Sequence, residues 1–344
     1  MKNLILVIFI TALYMKASVS QNCLPQGIIF TNQNQIDNFQ SNYPGCTEIE
    51  GDVTISGENI TNLNGLNVIT TIGGNFWIDN NSSLLTLTGL ENLTEIGGYL
   101  DISNNNMISS LNGLNNLNFV GGNLLISANQ ELTNLIGLEN ISNIPGNLII
   151  SSNTNLVNLA GLDGLSGIDG HFLLSINNSL VNLEGLNNLT LIGGDFSISY
   201  NLSILNLQGI SSLISTGGDR KLAYNNSLNN ISGIEALTTV GGNLESYDND
   251  NLSSLMSFVS LTTIEGDLYI SQNDLLTSLS GLDALTFVGG NLEISYNYSL
   301  TNITNLFNLS TLSGSLTVEQ NTNLMGLDGL ENINNSSISS LYIN

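Results

Sequence analysis

Few side chains in this 344-residue sequence can do chemistry, and fewer are spaced to do it together. Four Lys and Arg stand against 28 Asp and Glu, giving a formal charge of −24 although only 9% of residues are charged. Two of the four cations are neighbours, Arg220 and Lys221, with Asp219, Glu245, Asp248 and Asp250 close in sequence. An Arg-Lys pair beside carboxylates and the nearby Ser246 is the composition of a ligand pocket, and an Arg facing inward must be paired or escape to water. His171 is the one histidine, and no Cys or carboxylate stands at a spacing that makes a triad with it. Asp248-Asn-Asp-Asn251 has a calcium-like composition but lacks the glycine and distal glutamate of an EF-hand loop. The two cysteines, Cys23 and Cys46, enclose 22 residues; an even pair in an exported chain is expected to form a disulfide, worth about 3 kcal/mol by loop entropy. A metal site there fails for want of a third ligand. The remaining acids, such as Glu91, Glu139, Asp163 and Glu235, are scattered, whereas glycosidic chemistry needs carboxylates clustered on one groove. No catalytic residue, metal ligand or cofactor is assigned, and the expectation is a protein that is not an enzyme.

The cation shortage excludes further classes. Nucleic-acid binding displaces counterions with several Lys or Arg per site, and docking on anionic membranes needs the same residues. Disorder is excluded by the 41% hydrophobic content, which can bury a core. Leu (59 residues) and Asn (56) dominate together, and that joint bias points to an internal repeat.

One glycine recurs at 74, 98, 122, 146, 170, 194, 218, 242, 266, 290 and 314, spaced by 24 each time; the first unit, from Gly51, is 23 long. Counting that glycine as position 0, seven apolar positions recur at 2, 4, 10, 13, 16, 19 and 22, as in Leu124, Ile126, Leu132, Leu135, Leu138, Ile141 and Ile144. Positions two apart mark a strand with one inward face. The strict threes that follow drift off any helical face, and Gly137 at position 15 interrupts a helix. Each unit is therefore one coil of a solenoid, and twelve coils at the strand spacing of about 4.8 Å predict a rod of roughly 58 Å.

Three columns of this repeat carry the candidate sites. Asn fills position 7 in eleven coils: Asn81, Asn105, Asn129, Asn153, Asn177, Asn201, Asn225, Asn249, Asn273, Asn297 and Asn321. It is read as a structural ladder, with Asn tolerating a left-handed turn and its amide bonding the next coil's backbone. Ser103, Ser127, Ser151, Ser175, Ser199, Ser271 and Ser295 at position 5 form a similar column. Position 3 lies between the two core residues of the strand and points outward. There Leu125, Ile149 and Leu173 stack in successive coils, with the only Trp, Trp77, two coils away. Two readings stand: an apolar stripe for a partner, or incidental surface aliphatics covered by nothing or by another domain. The anomaly is in neighbouring coils, where Arg220 replaces Leu or Phe at position 2 and Ser246 replaces Ile at position 4. The sharper reading is a ligand pocket; the expectation is a local bulge that turns Arg220 out to water, or decay of one repeat. Sixteen Asn-x-Ser/Thr sequons occur, among them Asn140 and Asn188, a number that so much Asn, Ser and Thr supplies by chance.

Residues 1–20 read as a secretory signal, with Lys2, an apolar run from Leu4 to Tyr14, an untidy Lys16, and Ser18 and Ser20 preceding cleavage before Gln21. The expected organisation is a signal at 1–20, a disulfide-bearing N-terminal cap at 21–50 and a repeat solenoid at 51–344.

Leu124-x-Ile126-x-x-Asn129 resembles the core of leucine-rich repeats. The Gly-Gly-Asn step and the run Cys46-Thr-Glu-Ile-Glu-Gly-Asp-Val-Thr-Ile-Ser after Cys23 resemble the opening of receptor L domains, and the long array is similar to secreted proteins of the Bacteroidota. The resemblance covers about 23–344 and implies an all-β, right-handed parallel β-helix-like solenoid; a leucine-rich-repeat horseshoe is the alternative. The chain departs from that family in its twelve coils and in stopping after a strand without a cap, so a fragment or a covering chain is expected at that end. The expected function is non-catalytic binding or adhesion at the cell surface, outside the cytoplasm and not inserted in a membrane, with a protein or glycan partner. A spacer and a carbohydrate-active β-helix enzyme are the alternatives.

Overall fold

The computed structural model describes residues 21–334, 336 and 338–344; the signal segment, 1–20, lies outside them. The chain is nearly all β and winds as a parallel solenoid of about 13 turns. Its main face is a 14-stranded parallel sheet built from one four-residue strand per coil, such as Leu124–Ser127, Leu148–Ser151 and Phe172–Ser175. Pairing is in strict register, Leu124 with Leu148 and Ile126 with Ile150, so each residue stacks on its equivalent 24 residues later. Fourteen strands at about 4.8 Å span roughly 60 Å. The sheet begins earlier than the repeat does. Ile28–Phe30, inside the segment read as a cap, pairs with Val53–Ile55 and supplies its first strand.

In the coils from Gly74 to Gly290 the seven positions point inward and are buried, forming one continuous column that is apolar except at Thr216, Arg220 and Ser246; in the last coil Leu324, Leu327 and Leu330 are partly buried. Where the spacing is three, the backbone closes i→i+3 turns: Leu114 N–H donates to Leu111 O at 3.1 Å and Leu117 N–H to Leu114 O at 2.8 Å. A three-residue turn brings i and i+3 to the same side, which is why a run of strict threes faces the core here without a helix. Gly137 follows at φ 122°, and a Cβ there would strike the carbonyl of Leu111 in the coil before.

A second face is made by two-residue strands such as Phe119–Val120 and Asn143–Ile144, and it is split into a five-stranded and an eight-stranded sheet between those two. Pro145 explains the break. In other coils the residue here donates across the ladder, as Gly121 N–H does to Ile96 O and Asp169 N–H to Ile144 O. Proline has no N–H to offer Val120 O.

The N-terminal end of the column is plugged by Phe30, Ile36 and Phe39, carried on Ile28–Phe30 and on two short helices, Gln33–Asp37 and Phe39–Asn42. Cys23 and Cys46 are joined in a disulfide beside them, with Cα atoms 5.7 Å apart. Among the described residues no helix is long and apolar enough to cross a membrane.

Candidate functional site

The polar columns between the apolar ones are tied into the backbone. Each position-7 Asn is buried and serves two coils. Asn201 Oδ1 accepts the backbone N–H of Asn177 at 3.0 Å, while its Nδ2 donates to Leu174 O and Ser199 O at 3.0 and 3.1 Å. The left-handed residue of this turn is not the Asn, as the sequence led us to expect, but the residue before it. Asn80, Asn104, Ala128, Ser152, Ile176, Tyr200, Tyr224, Asp248, Gln272, Tyr296 and Gln320 all have φ between 53 and 60°. The Asn amide network holds the turn so firmly that even β-branched Ile176 is forced into it. In the position-5 column, Ser127 and Ser151 hydroxyls meet at 3.0 Å, as do Ser271 and Ser295.

The scattered acids have the same kind of occupation. Glu139 accepts from Gly137 N–H at 3.0 Å, Asp163 from Gly161 N–H at 2.9 Å, and Glu91 and Glu235 do the same for Gly89 and Gly233. At position 1, Asp219 Oδ1 accepts Asn243 N–H at 2.7 Å. His171 joins this column: its N–H donates to Asn147, and its Nδ1 accepts Asp195 N–H at 2.9 Å, a ring nitrogen standing in for an amide oxygen. Five of the sixteen sequons start at ladder residues, Asn81, Asn177, Asn201, Asn225 and Asn297, whose amides are buried and engaged, so no glycan can be attached there. The Asp248–Asn251 run is an ordinary turn of the repeat, with Asn249 in the buried ladder. Among the described residues no group of three or more His, Cys, Asp and Glu is placed to hold a metal ion.

Position 3 of the main strand faces outward. Leu125, Ile149 and Leu173 are in direct register and half-buried, a contiguous aliphatic stripe. Trp77 is in the same column but apart from them. Asp101 stands between Trp77 and Leu125, and the indole packs edge-on against Tyr99 at 4.9 Å. Burial raises the Asp101 carboxyl above its ordinary pKa, with Asp79 adding to this and a Ser103 hydrogen bond opposing it.

The adjacent cations are separated by the strand's alternation. Lys221 points out, 5.0 Å from the Tyr247 ring centre, and Tyr247 together with Glu245 holds its ammonium above the ordinary value. Arg220 points in. The expected bulge is absent: Phe196, Arg220 and Leu244 pair in unbroken register, and Arg220 is 1% exposed. Strand pairing across several coils holds the backbone in place, so the side chain cannot escape by a local slip. Ser246, two residues along on the next strand, also faces inward and is buried.

The sequence reading missed one surface. Positions 6 and 8 lie on the turn beside the Asn ladder. Across five coils they carry Tyr200 and Leu202, Tyr224 and Asn226, Asp248 and Asp250, Gln272 and Asp274, then Tyr296 and Tyr298. Tyr200 and Tyr224 stack at 4.5 Å, and Tyr247 and Tyr269 extend the ring series at 5.5 and 5.7 Å. Asp248, Asp250, Gln272 and Asp274 form the floor of a trough of about 290 Å³ that ends at Tyr296 and Tyr298. Tyr200, Tyr296 and Tyr298 are 49%, 39% and 45% exposed. The available signal was the clustering of six of the ten tyrosines between 200 and 298. Compared with protein-family models, with curated proteins and with solved structures, the chain matches none.

Proposed function

We propose that this chain is a non-catalytic binding protein of the cell exterior that holds a glycan in the trough between Tyr224 and Tyr298. The observation that carries this reading is the pairing of Tyr296 and Tyr298 with amide and carboxylate side chains in one concavity, beside the stacked rings of Tyr200 and Tyr224. Ring faces stack on the apolar faces of sugars, and Asp, Asn and Gln bond their hydroxyls. The column is rigid and the trough side chains stand on turns held by the buried ladder, so little ordering entropy opposes binding. The disulfide supports export, since such bonds persist outside reducing compartments. The resemblance to receptor L domains agrees with a recognition role. The structural employment of Glu91, Glu139, Asp163 and Glu235 argues against the carbohydrate-active enzyme, because those carboxylates are committed to glycine N–H groups.

The test is a glycan array probed with the wild-type chain and with a Tyr224→Ala/Tyr296→Ala/Tyr298→Ala variant. Binding that the variant loses while its circular dichroism is unchanged supports the reading. A wild-type chain that binds no glycan, or a variant that binds equally, removes it. A second reading rests on the Leu125–Ile149–Leu173 stripe, which offers a flat apolar contact to a protein partner. It requires Leu125→Asp/Ile149→Asp/Leu173→Asp to abolish association with that partner and leave the array pattern intact. A spacer role predicts that neither set of substitutions changes any binding.

A further inference from the structure

Arg220 is the largest fully buried side chain among the described residues. Its guanidinium carbon lies 5.5 Å from the ring centre of Phe196 and 5.4 Å from that of Phe258, held between two aromatic faces. No protein group accepts from its Nε or Nη2, and Ser246 Oγ is likewise without a protein partner; these are the only three such buried side-chain atoms among the described residues. The identity of the two nitrogens matters. Nε–H and Nη2–H are the parallel pair on one edge of the guanidinium, the fork that grips a single anionic acceptor side-on. Ser246 is the diagonal neighbour of Arg220 on the same inner face, one strand over and two residues along, within reach of a long side chain. It adds a hydroxyl donor and, being shorter than the Ile78, Ile102, Ile126 and Ile150 of its column, gives up space.

Nearby carboxylates cannot serve as the counter-charge. Asp219 is bonded to the Asn243 backbone, and Glu245 faces outward beside Lys221. Among the described residues no Asp or Glu carboxylate lies within ion-pairing distance of the Arg220 guanidinium. Burial lowers the Arg220 pKa to about 10, so the group still carries its charge at neutral pH. A charge in an apolar interior must be matched.

We infer that Arg220 and Ser246 form a binding site inside the solenoid for a small monovalent anion of halide size, gripped by the Nε–Nη2 edge and the Ser246 hydroxyl. The anion enters as the coils close and completes the core of the segment backed by the eight-stranded sheet. Because the site lies inside the column, this inference is independent of the trough and stands or falls separately from it.

Bromide is the probe. Crystals of the full chain refolded in sodium bromide and measured at the bromine absorption edge are expected to show an anomalous peak within hydrogen-bonding distance of Arg220 Nε and Nη2. In solution, the melting temperature is expected to rise by on the order of 2 °C per tenfold increase in bromide at ionic strength held constant with gluconate. That dependence should vanish in Arg220→Leu/Ser246→Ile, which restores the apolar residues of the other coils and is expected to fold. No anomalous peak at the fork, with water in its place, overturns the inference. So does a bromide dependence that persists in the double variant.

Discussion

Replacing one rung of the Asn ladder, Asn201→Ala, measures how much of the fold depends on that column. The substitution removes the acceptor of the Asn177 N–H and the donor to Leu174 O and Ser199 O. These groups lie where water does not reach, since Asn177 and Asn201 are 0% exposed. An orphaned buried donor costs about 1–3 kcal/mol and each lost bond about 1 kcal/mol, so Asn201→Ala is expected to cost roughly 4 kcal/mol. Asn201→Asp should cost no less, because it keeps the acceptor but sets a carboxylate against two carbonyls. Asn321, at the end of the column and 8% exposed, should be milder. Urea unfolding followed by circular dichroism gives the magnitude. Hydrogen exchange gives the place, with lost protection at Asn177 and its neighbours in the flanking coils. A cost below 1 kcal/mol, or equal costs at Asn201 and Asn321, would refute the view that the ladder is structural.

Two further outcomes follow from the same geometry. Ile176 is held at φ 59° while 45% exposed, so Ile176→Gly should relieve left-handed strain at little loss of burial and stabilise the chain by about 1 kcal/mol; a loss of stability in urea would count against the turn assignment. Burial alone would raise the Glu235 pKa, but its bonds to the Gly233 N–H, its own N–H and Ser257 bring it below the ordinary value. A carboxyl depressed in the folded state contributes stability that is present above its unfolded pKa and lost as pH falls through the folded one. Glu235→Gln should therefore be less stable than wild type at neutral pH, with the gap closing in acid; a gap that is constant with pH would show that the charge is irrelevant.

The coil was legible because its two backbone regimes leave different periods: two for the strand at Leu124 and Ile126, three for the i→i+3 turns from Leu132 to Ile144. The expectation for Arg220 failed for a physical reason. A sequence shows the cost of burying one charge but not the stiffness of a sheet whose register is enforced by strands on both sides, and that stiffness leaves Arg220 inside. Likewise, position 7 was read as the left-handed residue because Asn tolerates that conformation. The structure puts the left-handed residue one position earlier and leaves the Asn amide free to bond three backbone groups. The tyrosine trough was hidden because its members come from three coils and share only a turn, not a motif.

The ladder assignments also narrow where recognition can reside. Positions 1 and 7 are spent on holding one coil to the next and positions 15 and 17 on a bond within the coil, and this accounts for many of the acids: Glu139 and Glu235 serve glycine N–H groups of their own coil, and Asp195 and Asp219 serve the next coil's backbone. A negative chain is thus not evidence of an acidic binding face. Among the positions left variable are the outward position 3 and the turn positions 6 and 8, where the backbone geometry recurs from coil to coil with different side chains. A partner docked on the main sheet face or on the turn beside it would read those columns. Along turn positions 6 and 8 they change from tyrosine to carboxylate and back to tyrosine within five coils, the last three of which form the trough, while the buried Asn beside them does not change. On the proposed reading, this change of side chains on a constant turn is what a glycan would read, whereas a plain spacer would gain nothing from a concave group of exposed rings.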